Sequence, residues 1–215
     1  MGRILRGVFN IMRGSIPWIL ERLPSIPDMH VLDVGGIRNG MIEPAAVKLL
    51  ELGHEVFSVD VAEPNIDKFP RLYGLWDYAI SDILDVELPA NSYDMALAIH
   101  VLQHIGMPWR GIEKVQDTYG DTLFLYRLYD WLTKTGVAFI DTCIYDGANY
   151  HSLARHQLQW DEKTTWHVYT KRWLKDTAEE IGFKWIDHMI YDGANDTKKR
   201  MNGAKSIVIM LQKEE

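Results

Sequence analysis

Short apolar runs alternate with amphipathic segments along most of this chain, and that order limits the folds open to it. The predicted strands are 30–34, 55–60, 78–80, 95–99, 137–140, 183–191 and 206–211, and the predicted helices are 43–52, 122–132 and 171–181. This order predicts an α/β fold with a doubly wound, mostly parallel seven-stranded sheet and helices on both faces. The last two strands lie too close together for a crossover helix, so they are expected to form a C-terminal antiparallel hairpin.

The first 29 residues precede the predicted sheet. Arg3, Arg6 and Arg13 are interleaved with apolar side chains, and Pro24 and Pro27 end the helical pattern. We interpret residues 1–29 as an N-terminal amphipathic helical cap and residues 30–215 as one domain. A basic amphipathic helix also fits a peripheral membrane contact through residues 1–20, although packing across the domain is the more common use of such a helix.

Composition narrows the classes of function. The formal net charge is −7 over 215 residues, which argues against a nucleic-acid partner, because phosphate contacts require a basic face. Cys143 is the only cysteine and lies in an apolar run, so it is expected to be a small buried side chain in a protein of the reducing cytoplasm. No apolar run approaches the roughly 18–20 residues that cross a bilayer, which predicts no transmembrane segment.

Acidic and glycine residues follow the first three predicted strands, where ligands bind in an open parallel sheet. The segment Asp33–Gly40 is rich in glycine, which lets the backbone approach a ligand closely. Asp60 ends the second strand, where a carboxylate can accept both hydroxyls of a ribose. Asp82 follows the weak third strand, where it can accept from an adenine amino group. These positions predict a nucleoside site at one edge of the sheet.

With these residues in place, the chain from about His30 onward resembles the class I S-adenosylmethionine-dependent methyltransferases. The segments that carry the likeness are Ile80–Gly106, Leu132–Gly136, Tyr169–Leu174 and Ile181–Phe183. A weaker likeness is to a methyltransferase-like family often associated with surface-glycan genes. The resemblance implies S-adenosyl-L-methionine as cofactor and S-adenosyl-L-homocysteine as product.

The same resemblance implies a set of cofactor-binding residues, and it has one departure. The set is Asp33, Gly35, Gly36, Gly40, Asp60, Val61, Ser81, Asp82, Ile83 and His100. The family has glycines at the positions of Ile37 and Asn39, so the loop after the first strand is expected to be reshaped. A nicotinamide fingerprint fails at the same place, because Gly35 has no glycine partner at position 37.

Histidines supply the candidates for proton transfer. His100 and His104 follow the fourth predicted strand and are the catalytic candidates, while His151, His156 and His167 belong to the long segment after the fifth strand. No spacing of ligand residues indicates a metal site. We therefore expect methyl transfer to a small-molecule or glycan acceptor, at oxygen. Two alternatives stay open: a donor-binding regulatory or scaffold domain without catalysis, and a NAD-dependent sugar-modifying enzyme. The acceptor and the oligomeric state are not specified by the sequence.

Overall fold

A mixed β-sheet forms the centre of the computed structural model, which describes residues 14–38, 40–68, 74–107, 117–145, 155–161, 164–192 and 204–214. Its strands are β1 His30–Val34, β2 Ile37–Arg38, β3 Met41–Ile42, β4 Glu55–Asp60, β5 Trp76–Ile80, β6 Tyr93–Ile99, β7 Leu132–Tyr145, β8 Arg155–Asp161, β9 Thr164–Tyr169, β10 Phe183–Tyr191 and β11 Ala204–Lys213. The helices are α1 Ser15–Leu20, α2 Pro44–Glu51, α3 Gly120–Trp131 and α4 Lys171–Ile181, with single 3₁₀ turns at Ile66–Lys68 and Leu102–His104.

The order of strands confirms the predicted architecture. The main path of the sheet runs β10-β11-β7-β6-β1-β4-β5. The pairs β5–β4, β4–β1, β1–β6 and β6–β7 are parallel, and β11 is antiparallel to both β7 and β10. The predicted hairpin therefore places its second strand inside the sheet and its first strand at the edge. The strands β8 and β9 extend the sheet beyond the seven that were predicted.

The predicted helix 122–132 and the predicted strand 137–140 imply a loop between them, and this loop is absent from the structure. The helix α3 ends at Trp131, five residues before Gly136, and β7 starts directly at Leu132. Tyr93 pairs with Leu132 whereas Met95 pairs with Val137, so β7 has extra residues opposite β6 at this point. A Cβ at Gly136 would lie 2.9 Å from the carbonyl oxygen of Thr133, which shows how tightly the irregular turn is closed. Glycine thus permits a bulge here and not a helix end.

Both faces of the sheet are covered, and the buried side chains form two apolar layers. On one face, Phe124 and Leu128 of α3 pack with Leu174 and Ala178 of α4. On the other face, residues of α1 and α2 pack against the sheet, and Ile16, Ile19, Ala45 and Leu49 are each at most 1 % exposed. Cys143 is 3 % exposed, which confirms its predicted burial.

The helix α1 is the part of the predicted N-terminal cap that the structure describes, since residues 1–13 lie outside the described ranges. The Trp18 ring meets the Phe139 ring edge-on at 6.2 Å between centroids. Just beyond the helix, Arg22 Nε donates to Asp187 Oδ2 at 2.9 Å, which joins this segment to β10. Among the described helices, none has the length and apolar character needed to cross a membrane.

Candidate functional site

The carboxyl ends of four parallel strands meet at one edge of the sheet. The chain order reverses at β1, which has β4 on one side and β6 on the other. In open α/β sheets, such a reversal opens a crevice in which ligands bind. The residues that follow β1, β4, β5 and β6 are those that the sequence predicts as site residues.

The glycine segment after β1 folds as a small hairpin. Ile37 and Arg38 pair antiparallel with Ile42 and Met41. Ile37 occupies a position where the resembled family has glycine, and its side chain is buried, at 5 % exposure. Gly40 has a positive φ of 71°, and its carbonyl oxygen accepts from the backbone N–H of Asn65 at 2.9 Å. The described part of this loop is therefore hydrogen-bonded to the segment after β4.

Gly35 and Gly36 occupy positions where a side chain does not fit. At Gly35, φ is 66° and an added Cβ would lie 2.3 Å from Val101 Cγ2. At Gly36, an added Cβ would lie 1.9 Å from Asp33 Oδ2. Gly35 therefore lies directly against Val101, the residue after His100, and Gly36 lies directly against the carboxyl group of Asp33.

Asp60 connects the loop to β4 through its side chain. Asp60 Oδ2 accepts from the backbone N–H of Ile37 at 2.8 Å, and Oδ1 accepts from that of Ala62 at 2.8 Å. Burial raises the pKa of this carboxyl group, and these backbone donors lower it. Asp60 is 9 % exposed. The backbone of Val61 is a third donor to this carboxylate, which offers about four lone-pair positions, so about one remains for a ligand.

Asp33 is fully buried within β1. Ser58 Oγ donates to its Oδ2 at 3.0 Å, whereas Oδ1 has no hydrogen-bond partner. Burial, together with the negative charges of Glu43 and Asp60, raises the pKa of Asp33 to about 8. A carboxyl group of this kind holds its proton at neutral pH, so Asp33 supports the loop as a neutral acid.

The turn after β5 contains Ser81, Asp82 and Ile83. The backbone N–H of Ser81 donates to the carbonyl oxygen of Asp60 at 2.9 Å, which keeps the ends of β4 and β5 together. Asp82 Oδ1 accepts from the backbone N–H of Leu84 at 2.8 Å. Ile83 is 6 % exposed, whereas Val61 at the end of β4 is 42 % exposed.

His100 has an unusual backbone conformation at the end of β6. Its φ is 55°, in the left-handed region that residues other than glycine rarely adopt. Its ring lies against β7 and β10, because Nε2 is 3.3 Å from Asp141 Oδ2 and 3.3 Å from the hydroxyl of Tyr191. The Tyr191 hydroxyl donates to Asp141 Oδ2 at 2.5 Å. Burial and the adjacent Asp141 raise the pKa of Tyr191 above its ordinary value.

His104, the second catalytic candidate, lies on the 3₁₀ turn and stacks on Trp166, with 6.0 Å between ring centroids. Behind it is a buried polar group that the sequence did not suggest. His167 Nδ1 is 2.9 Å from Asp121 Oδ2, and the Tyr169 hydroxyl donates to the same oxygen at 3.0 Å. His167 and Asp121 are both fully buried in this pair.

Sequence reasoning missed Asp141 and Tyr191 as partners of His100. Asp141 lies 41 residues and Tyr191 lies 91 residues from His100 in sequence. A polar residue in the apolar run Phe139–Ile144 was the available signal for Asp141. His151 lies outside the described residues, as does the side chain of His156. Within the described ranges, no three His, Cys, Asp or Glu side chains group as a metal site would require.

The site residues fit an adenosine-bearing methyl donor. Asp60 keeps about one acceptor position for a hydroxyl group. At the same edge, the exposed side chains of Val61 and Ile80 offer apolar surface for a flat base. The buried, unpaired Oδ1 of Asp33 lies under the loop that faces the donor's amino-acid end in the resembled family.

Comparisons with known proteins agree with this geometry. The family model described as "Methyltransferase domain" matches residues 32–117. No curated protein sequence gives a significant match. Among solved structures, 1,6-didemethyltoxoflavin-N1-methyltransferase of Burkholderia thailandensis, with bound 1,6-didemethyltoxoflavin and S-adenosylhomocysteine, has a TM-score of 0.71 and 19 % identity, covering 98 % of this chain and 82 % of that chain.

Two further solved structures share the fold. A SAM-dependent methyltransferase of Methanosarcina mazei has a TM-score of 0.62 and 15 % identity, covering 92 % of this chain and 97 % of that chain. The [4+2]-cyclase SpnF has a TM-score of 0.67 and 12 % identity, covering 93 % of this chain and 80 % of that chain. Residues 32–117 thus match a methyltransferase domain, and the whole chain has the fold of S-adenosylmethionine-dependent methyltransferases of known structure.

Proposed function

We propose that this protein is a class I S-adenosylmethionine-dependent methyltransferase, which acts on a hydroxyl group of a small-molecule or glycan acceptor and holds its donor along the edge formed by β1, β4 and β5. The observation that carries the donor site is the position of Asp60, whose carboxylate joins the reshaped loop to β4 and stands beside the exposed side chain of Val61. In this proposal Asp60 accepts from the ribose hydroxyls, and the Gly35–Gly40 turn contacts the methionine end.

The turn after β5 recognises the base. Asp82 accepts from the adenine amino group, while the backbone of Ser81 and Ile83 is placed beside the ring by the hydrogen bond between Ser81 and the end of β4. Val61 and Ile80 cover the two sides of the base. Aligning donor and acceptor in this way is worth up to roughly 7–11 kcal/mol of the barrier.

His100 is the better of the two candidates for the proton acceptor. His104 is held against Trp166, and its 3₁₀ turn packs on the buried Tyr169. His100 is next to Val101, which touches the glycine loop, and its side chain is 15 % exposed. S-adenosylmethionine supplies an electrophilic methyl group on a sulfonium, and His100 takes the proton of the acceptor hydroxyl as its oxygen attacks. A positioned base contributes perhaps 10²–10⁴-fold.

The donor site is tested by calorimetry with S-adenosylmethionine and NAD. We expect binding of S-adenosylmethionine and none of NAD. Asp60→Ala is expected to weaken donor affinity by more than about tenfold, because three backbone donors and the ribose lose their acceptor. Asp77→Ala is the matched control, since Asp77 is an exposed acid on β5 outside the site. An Asp60→Ala protein with unchanged affinity contradicts the assignment of the ribose site.

A second function, donor binding without catalysis, is favoured by one observation. The buried Ile37 replaces a glycine of the family's loop and changes the backbone that faces the donor. The two functions are distinguished by measuring the release of S-adenosylhomocysteine with each member of a panel of hydroxylated acceptors. Turnover with one acceptor supports the enzyme, whereas tight donor binding with no turnover across the panel supports the regulatory domain.

A further inference from the structure

His100 is held in its strained conformation by three hydrogen bonds. Its backbone N–H donates to the carbonyl oxygen of Asp141 at 2.7 Å, and its own carbonyl accepts from Gln103 Nε2 at 3.0 Å. Gln103 Oε1 in turn accepts from Thr142 Oγ1 at 2.9 Å, with Gln103 and Thr142 both buried. A non-glycine residue with positive φ is strained and persists only where the surroundings enforce that conformation. The enforced conformation fixes where the imidazole ring points.

The ring is directed toward a buried carboxylate. Asp141 has no exposed side-chain surface, and its Oδ2 lies 3.3 Å from His100 Nε2. In the neutral ring, a proton on Nε2 can be shared with this carboxylate, and the lone pair is then left on Nδ1. Tyr191 donates its hydroxyl proton to the same oxygen and withdraws part of the negative charge.

Further polar groups complete the surroundings of this cluster. Among the contacts of the described residues, the titratable groups facing His100 are Asp141 of β7 and Tyr191 of β10. The elements α1 and β11 contribute the uncharged hydroxyls of Ser15 and Ser206 beside Tyr191. Asp141 is the acidic group of this cluster, and its charge also raises the pKa of the adjacent Tyr191.

We infer that Asp141 and Tyr191 are positioning residues which set the tautomer and the basicity of His100, with the proton on Nε2 and the accepting lone pair on Nδ1. The inference rests on the proposed role of His100 in methyl transfer. In that step the acceptor's O–H proton moves to Nδ1 while an oxygen lone pair bonds to the methyl carbon. The carbon–sulfur bond breaks, and its electron pair stays on sulfur to give the neutral thioether.

Nitrogen-15 NMR of histidine-labelled full-length protein tests the inference without an acceptor. The His100 signal is assigned as the one lost in His100→Gln, and spectra are recorded with S-adenosylhomocysteine present. We expect a protonated Nε2 and an unprotonated Nδ1 in the neutral ring. A proton on Nδ1 in the neutral wild-type ring overturns the inference.

Two variants are expected to shift the pKa of His100 in opposite directions. Asp141→Asn removes the carboxylate that stabilises the imidazolium, so it lowers this pKa by about one unit or more. Tyr191→Phe leaves a more negative carboxylate beside the ring, so it raises the same pKa. If Asp141 and Tyr191 only pack against the ring, the two variants are not expected to shift the pKa of His100 in opposite directions. Shifts of the same sign contradict the inference.

Calorimetry of the same samples separates this inference from the proposed function. If S-adenosylmethionine fails to bind wild-type protein, the proposed function fails while the tautomer measurement still decides the geometry. If it binds equally to wild type and Tyr191→Phe while the expected tautomer is absent, only the inference about Asp141 and Tyr191 fails.

Discussion

At the scale of single residues, the glycine segment after β1 contains backbone positions that leave no room for a side chain. Gly36 has no positive φ, so its requirement for glycine is steric alone. The three nearest atoms to an added Cβ all belong to the carboxyl group of Asp33, at 1.9–2.3 Å. This carboxyl group is buried and cannot move aside without displacing Ser58.

Gly36→Ala is therefore expected to lower the free energy of unfolding by about 1–3 kcal/mol, the usual cost of overpacking. It should also weaken binding of S-adenosylmethionine, because the turn is displaced. Gly74→Ala is the control, because it has no positive φ and no atom within 4 Å of an added Cβ. Urea unfolding and calorimetry of both variants make the comparison. Equal stability of the two proteins would show that the turn at Gly36 is loosely held.

The sequence alone could predict those candidate site residues whose position follows from the order of the strands. Asp60, Asp82 and His100 follow three different strands, and parallel pairing brings those strand ends to one edge. Asp141 and Tyr191 were missed as partners of His100 because β11 lies between β7 and β10, and a side-chain contact across that strand is not encoded by local spacing. The ligand contacts of these residues stay predictions.

At the scale of elements, α4 shows how local sequence defines a helix. Thr170 accepts from the backbone N–H of Trp173 at 3.1 Å at the start, and Gly182 has a φ of 113° at the end. Both signals were present in the sequence, and the predicted bounds 171–181 are confirmed. The hairpin of β2 and β3 was not predicted, because each strand has only two residues and no hydrophobic period.

Thr170→Ala is expected to destabilise the protein by about 1 kcal/mol through loss of the cap. Thr170→Ser keeps the hydroxyl and should retain most of the stability. Urea unfolding at one pH measures both changes, provided that the free energy of unfolding depends on urea concentration with the same slope in all three proteins. If the serine variant is as unstable as the alanine variant, the effect arises from the lost methyl group and not from capping.

At the scale of the whole molecule, burial of Asp33 links stability to pH. The pKa of Asp33 is about 8 in the folded state against an ordinary value of 3.8. The folded protein therefore keeps a proton that the unfolded chain releases. The stability due to this proton is fully present below about pH 4 and is lost as the pH rises toward 8, with a slope of up to about 1.4 kcal/mol per pH unit.

Asp33→Asn removes this titration, so the wild type should lose stability relative to the variant between about pH 4 and pH 8. Urea unfolding of both proteins across that range gives the difference, in which the titration of all other groups cancels. A difference that does not change with pH would show that Asp33 is ionised in the folded state.

The position of β11 between β7 and β10 has a consequence for synthesis of the chain on the ribosome. The other partners of β7, which are β6 and β9, are made before β11, and among the described strands β10 pairs only with β11. Both β7 and β10 therefore keep open hydrogen-bonding edges until residues 204–213 emerge, and such edges pair readily with other chains. Nascent protein halted just before Ala204 should hence contain the proposed donor site but require a chaperone to stay unaggregated.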